Sequence, residues 1–285
     1  MSTNAASSGR PIRLSSVVLS WNSSRYLEAC IASLVAEAQG HHDEIWVVDN
    51  GSTDGSVELL HRLARRWPDI LSVIYLAQNM GTTVSRNMAL MRARGEYIAI
   101  IDSDVTVPTG TIATLIESAA GDPRCGLIVP RLVYPGGRAQ MSTDVFPTLT
   151  RKLQRLLALR SLERNLADVS PYEAAPVDYA ISAFWLLRRD VLNRVGLLDE
   201  KIFYSPEDVD YCIRVWRNGY KVIYEPNAHS IHDAQEISRG LRVTRATASH
   251  VKGLLYLFWK HRYLLSRERL YERIGRRRVS EPATA

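Results

Sequence analysis

Cysteine is scarce, and the residues present cannot pair into a framework. Cys30, Cys125 and Cys212 are odd in number and far apart, so they offer neither a CxxC site nor a set of disulfides. That usage fits a reducing compartment. Residues 1–10 are small and polar with no apolar stretch, so no secretory signal is expected. The most apolar run, residues 253–259, is far too short to span a bilayer. No GxGxxG follows the first strand-like segment, and no GxxxxGK[ST] occurs anywhere; neither a dinucleotide-binding turn nor a P-loop is expected. The chain should be cytoplasmic, with any membrane contact peripheral, on the inner face of the cytoplasmic membrane.

What is present is ordinary for a soluble globular protein: 285 residues, 46% hydrophobic and 23% charged. That length suits a single α/β unit with an appended element. The net charge of +6 is uneven, because residues 260–278 hold eight Lys or Arg against two Glu. Such a tail fits an acidic partner, either an anionic membrane surface or nucleic acid, and fits equally a solvated helix face. Residues 1–11 read as a disordered N-terminus, 12–240 as the main domain and 241–285 as a basic helical extension.

Apolar runs and amphipathic stripes alternate along the first hundred residues. Residues 14–20 form a first strand, and Leu27, Cys30, Ile31, Leu34, Val35 and Ala38 then mark one face of a helix. A strand at 44–48 ends at Asp49-Asn50-Gly51-Ser52, and a helix over 56–67 stops at Pro68. A strand at 71–76 and a helix over 81–94 follow, the latter closed by Gly95. The order predicts βαβ units and a mostly parallel sheet. Further on, 126–133 reads as a strand, 151–166 as a basic helical stretch, and 177–188 as apolar with Ala180, Ser182 and Ala183 small enough for close approach. A helix should begin with Ser205 as N-cap, Pro206 at N1 and Asp208 at N3. Val209, Cys212, Ile213 and Trp216 form its apolar face, and Asp210 can pair with Arg214. A strand over 220–224 should end at Glu225-Pro226, with His229 and His232 beyond.

Chemistry concentrates at strand ends. Tyr97-Ile98-Ala99-Ile100-Ile101 reads as a strand buried on both faces, yet it runs straight into Asp102-Ser103-Asp104. In open α/β sheets ligands bind beyond the carboxyl ends of the strands. Two carboxylates there are hard oxygen ligands for Mg²⁺ or Mn²⁺, which could bridge a diphosphate. A solvated strand-end loop is the plainer reading of Asp-Ser-Asp alone. Three such ends, Ser20-Trp21-Asn22, Asp49 to Ser52 and Asp102 to Asp104, form a constellation. Glu207 and Asp208 complement a helix dipole in a first turn, and the same position fixes a carboxylate's direction.

The chain resembles the family 2 glycosyltransferases of the GT-A fold, and within them the bacterial rhamnosyltransferase-like branch. The resemblance runs from about Ser16 to His232. It is carried by Val-Val-Leu-Ser-Trp-Asn at 17–22, Val-Val-Asp-Asn-Gly-Ser-Thr-Asp at 47–54, Asn79 and Gly81 with Arg86-Asn87, and Asp-Ser-Asp at 102–104. Arg188 to Leu192, Val195 to Glu200, Glu207-Asp208-Val209-Asp210, Tyr224-Glu225-Pro226 and His232 complete the order. It implies an α/β GT-A fold, a mostly parallel Rossmann-like sheet flanked by helices, with further C-terminal helices. It implies a donor-nucleotide set of Ser20, Asn22, Asp49, Asn79, Arg86 and Asp102, with Asp49 at the nucleobase and Asp102 at the ribose or metal shell. Asp104 and His232 would hold Mg²⁺ or Mn²⁺, Asp208 would be the catalytic base, and Glu207 and Trp185 would contact the acceptor or support the site.

The implied reaction is inverting, metal-dependent transfer from a nucleotide-diphosphate sugar, dTDP-rhamnose or a UDP-sugar. The acceptor would be a hydroxyl of a glycan or lipid-linked glycan in cell-surface polysaccharide synthesis. An anionic membrane under the C-terminal tail and a homodimer are compatible partners, and nucleic acid is not one. The sequence departs from the branch after His232, where Asp233 to Ser238 replaces the usual Gly-then-Ser pattern of the donor-covering loop. Two other classes remain: a sugar-nucleotide nucleotidyltransferase, and a non-catalytic membrane or nucleic-acid binding module. The first calls for a Gly-rich, basic loop after the first strand, which residues 20–25 are not. The second has no use for Asp102, Asp104, Asp208 and His232 together.

Overall fold

Buried apolar runs build the parallel half of the sheet. The computed structural model describes residues 11–150, 173–234 and 245–276. β1 (Leu14–Ser20), β2 (Glu44–Asp49), β3 (Leu71–Tyr75) and β4 (Tyr97–Asp102) lie in the order β3-β2-β1-β4, all parallel. They are joined by α1 (Leu27–Glu37), α2 (Ser56–Arg66) and α3 (Thr82–Leu90). Neighbouring residues of each strand serve opposite faces, so Val17, Ile98 and Ile100 enter one core cluster and Val18, Ala99 and Ile101 the other. α1, α2 and α4 (Thr111–Gly121) cover the second face. α3 covers the first, with α5 (Arg189–Val195), α6 (Glu207–Arg217), α7 (Arg245–His261) and α8 (Glu268–Ile274).

The other half of the sheet brings distant residues to the same edge. Beyond β4 come β11 (Phe184–Arg188), β6 (Cys125–Val133), β12 (Lys221–His232) and β5 (Val105–Thr106). β7 (Ala139–Gln140) pairs with β6, β9 (Ala175–Pro176) with β12, and β8 (Thr143–Asp144) with β10 (Tyr179–Ala180). β11 runs antiparallel to β4, so the residues before it meet the carboxyl end of β4: the Asp102 N–H donates to the Ala183 carbonyl at 2.9 Å. β12 runs parallel to β6 and finishes against β5, pairing His232 with Val105.

Several expectations need correction. The strand expected to end at Glu225-Pro226 continues to His232, because a register shift between Glu225 and His229 takes Pro226 out of the ladder. The helix bearing Asp208 begins at Glu207, with Pro206 as its N-cap and no side-chain cap bond. Ser205 does not cap it; its hydroxyl lies 3.0 Å from His250 Nδ1 instead. α3 stops at Leu90 rather than near residue 94, and turns lead from there to β4. The C-terminal helices put Leu257, Phe258, Leu270 and Ile274 into the same core cluster as Leu187 and Val191. The expected disordered start, the basic stretch at 151–166, the segment after Ala234 and the end of the tail lie outside the described residues.

Candidate active site

The sheet places its polar strand ends in one row. Ser20 lies opposite Asp49, and Leu19 opposite Asp102. Asp102, Asp104 and His232 offer ligand atoms that all fall within 4.8 Å of one another. His232 Nδ1 lies 2.7 Å from Gln140 Oε1, and Nε2 lies 3.4 Å from Asp104 Oδ1. A glutamine oxygen can only accept, so Nδ1 carries the proton and the Nε2 lone pair turns toward the acids. Burial opposes charging of this imidazole, but Asp104, Asp102 and Asp233 outweigh it and raise its pKa. Two carboxylates and a fixed imidazole are a donor set that fits Mg²⁺ or Mn²⁺.

Arg86 ties this edge to the start of α6. Its side chain is 1% exposed. One terminal nitrogen donates to Asp102 Oδ1 at 2.5 Å. The other donates to Ser182 Oγ at 2.9 Å and to Glu207 Oε1 at 3.4 Å. Ser182 Oγ in turn donates to the same Glu207 oxygen at 2.9 Å. Burial pushes the Asp102 carboxyl up; Arg86 pulls it down and Asp104 adds to the rise. Burial and the adjacent Asp208 charge push Glu207 up to about 8, against Arg86 and Ser182. A single guanidinium therefore serves a crowded group of acids, which favours a cationic guest.

At the carboxyl ends of β1 and β2, Ser20 Oγ and Asp49 Oδ2 are buried with no partner. Buried polar groups are rarely left so, and both belong to the expected donor-nucleotide set. The other Asp49 oxygen accepts the Ser52 N–H at 3.0 Å, which aims the carboxylate. Asn22 and Asn79 brace the surrounding loops. Asn22 Oδ1 accepts the Thr53 N–H at 2.8 Å, and Asn79 Oδ1 accepts the Gly81 N–H at 2.9 Å. Gly51 lets the loops close, with φ +76° and a position where a Cβ would lie 2.6 Å from the Gln78 backbone.

A family model described as "Glycosyl transferase family 2" matches residues 15–196. The chain belongs to glycosyltransferase family 2. Over 263 residues it is 25% identical to the N-acetylglucosaminyl-diphospho-decaprenol L-rhamnosyltransferase of Mycobacterium tuberculosis, covering 86% of this chain and 84% of that one. It is 32% identical over 224 residues to a cholesterol galactosyltransferase of Borreliella burgdorferi, covering 75% and 58%. A solved mannosyltransferase from Pyrobaculum calidifontis, in complex with GDP-Man and Mn²⁺, superposes with a TM-score of 0.61 at 20% identity, covering 94% and 69%. GalNAc-T7 with UDP, GalNAc and Mn²⁺ gives a TM-score of 0.64 at 16% identity over 88% of this chain, which spans about half of that structure. The glycosyltransferase has the GT-A fold, as its sequence implies.

Among the acids of α6 in this glycosyltransferase, burial and partners sort the roles. Asp210 is enclosed and bonded to Arg214, Lys260 and His261. Glu207 is 6% exposed and held by Arg86 and Ser182. Asp208 is partly exposed, with one oxygen accepting the Val209 N–H at 2.8 Å. Trp185 is fully buried; its indole N–H donates to the Ala180 carbonyl at 3.2 Å and its ring stacks on Tyr211. Of its two expected roles, the geometry fits support and leaves no face for an acceptor. Sequence reasoning missed Gln140, which sits on a two-residue strand with no periodic signal. It also missed Tyr204, which is 42% exposed just ahead of α6 and whose phenol pKa is raised by partial burial and by the nearby Glu207 and Asp102 charges.

Proposed function

We propose that this glycosyltransferase moves a sugar, with inversion, from a nucleotide-diphosphate donor to a hydroxyl of a glycan or lipid-linked glycan. The observation that carries the reading is the Asp102–Arg86–Glu207 bridge. It couples the strand edge, where a donor diphosphate would sit, to the first turn of α6, which carries Asp208. Asp49 and Ser20, each with an unpartnered buried oxygen, take the nucleobase side of the donor, and Arg86 fixes Asp102 toward the ribose. Asp208 accepts the proton of the acceptor hydroxyl as it attacks. Attack by the acceptor opposite the leaving group is one displacement, so the anomeric centre inverts. Asp104 and His232, with Asp102 beside them, would hold Mg²⁺ or Mn²⁺, which when bound neutralises charge on the departing diphosphate.

The similarity to an L-rhamnosyltransferase named for a decaprenol-linked acceptor favours dTDP-rhamnose and a lipid-linked glycan, as in the building of surface polysaccharides. Nothing in the family match favours a nucleotidyltransferase or a non-catalytic module. The test is thermal: dTDP-rhamnose, UDP-glucose, UDP-galactose and GDP-mannose are each added with Mn²⁺ or Mg²⁺, and the melting temperature is read. One of them should raise it, and Asp104→Ala should remove the shift. A donor shift and full turnover that both survive excess EDTA would sink the metal reading.

A further inference from the structure

The helix that carries the base is gripped on both sides of Asp208 by α7. At its entrance the α7 backbone passes directly over Ser205-Pro206. A Cβ on Gly253 would lie 2.2 Å from the Ser205 carbonyl oxygen and 2.9 Å from Pro206 Cδ. No other residue allows that approach without displacing the chain just before α6. His250 Nδ1 meets Ser205 Oγ at 3.0 Å on the same stretch.

Beyond Asp208 the second grip is ionic. Asp210 Oδ1 accepts from His261 Nε2 at 2.8 Å and from Lys260 Nζ at 2.6 Å, while Oδ2 accepts from Arg214 Nε at 3.0 Å. Lys260 also reaches Asp199 at 2.6 Å, and Asp199 takes the Tyr256 hydroxyl at 2.9 Å. His261 is tuned for this contact. Its Nδ1 lies 3.2 Å from an Arg217 terminal nitrogen, which can only donate, so Nε2 carries the proton given to Asp210. Leu257 and Phe258, between the two grips, lie in the core.

We propose that α7 is the positioning element of the catalytic base, with Gly253 and His250 setting the entrance of α6 and His261 and Lys260 setting its first turn through Asp210. None of these residues touches the reacting atoms; they act by fixing where the Asp208 carboxylate points. This rests on Asp208 being the base. A displacement on the order of 1 Å at such a group costs roughly 100-fold in rate, so small shifts of α6 are legible in kcat.

The test uses the full chain and the donor selected by melting, with kcat and donor KM measured for Gly253→Ala, His261→Leu, His261→Gln, Asp208→Asn and the double variant Gly253→Ala/Asp208→Asn. Gly253→Ala and His261→Leu should each lower kcat by roughly 10- to 100-fold with donor KM nearly unchanged. His261→Gln, which keeps an N–H for Asp210, should stay close to wild type. The double variant should be no slower than Asp208→Asn alone, because the misplaced group is already gone. The proposal is overturned if Gly253→Ala slows the Asp208→Asn enzyme by the same factor as the wild type. It is equally overturned if kcat falls only in proportion to the folded fraction, or does not fall. If Gly253→Ala does not fold, the two His261 variants decide. Normal turnover by Asp208→Asn itself would instead unseat the base, and the positioning role with it.

Discussion

At the scale of single residues, the catalytic assignment turns on which α6 carboxylate is reached by solvent, and Asp208 is the partly exposed one. Asp210 spends both oxygens on cations and Glu207 is enclosed. Asp208→Asn should therefore lower turnover by about 10²- to 10⁴-fold while leaving the donor-induced melting shift intact. The backbone should tolerate the change, since α6 has no side-chain cap to lose. Near-normal turnover would move the role to Glu207. Asp102, Asp104 and Asp49 were legible in the sequence because acids rarely end strands that are buried on both faces. Gln140 was not legible, because its role comes from a two-residue strand meeting His232 some ninety positions away. For Trp185 the sequence left acceptor contact and support both open, because an indole in an apolar run looks the same whether it faces a cleft or a core; its burial fits support.

At the scale of elements, the alternation of strand and helix was readable through β4, where hydrophobic periodicity is strong. It failed where tertiary pairing overrides local signals. Pro226 reads as a strand terminator, yet β12 passes it by slipping register. Ser205 reads as a helix cap, yet α7 claims its hydroxyl. The same α6–α7 contact gives a stability prediction. Burial works against the Asp210 charge, but His261, Arg214 and Lys260 outweigh it and hold the carboxyl well below the usual range. Unfolded Asp titrates near ~3.9. Below that pH the unfolded chain takes up a proton that the folded one refuses, so stability falls as pH drops; above it the contribution is complete. Asp210→Asn leaves buried cations short of a partner and should cost about 3–5 kcal/mol at pH 7. Urea unfolding should show the gap between wild type and variant narrowing as pH falls below about 4. A gap that is constant from pH 7 to pH 3 would contradict the ion-pair account.

At the scale of the whole molecule, α7 has a second face. Its sequence is apolar on more than one side, and packing divides those residues. Leu257 and Phe258 go inward, while Val251, Leu255 and Trp259 stay 52%, 63% and 72% exposed at helical spacing. A lone exposed Leu needs no explanation, but an aligned stripe is a surface that something covers. Leu264 and Leu265 are exposed in the turn that follows, and the exposed Lys252, Arg269 and Arg273 lie on the two C-terminal helices, with Arg262 between them. No described helix is long and apolar enough to cross a membrane. We propose an anionic bilayer as the occupant, entered by the stripe and held by the cations. An acceptor on a lipid carrier would then be met where it resides. Each basic residue near such a surface contributes about 1 kcal/mol and is screened by salt. In liposome flotation the protein should rise with vesicles containing anionic lipid at low salt and largely leave them at high salt. Leu255→Ser with Trp259→Ser should abolish flotation while leaving the melting temperature and transfer to a water-soluble acceptor unchanged, because neither side chain touches the core. A wild type that stays in the soluble fraction at low salt would refute the bilayer as occupant, and the acceptor would then have to come to the enzyme.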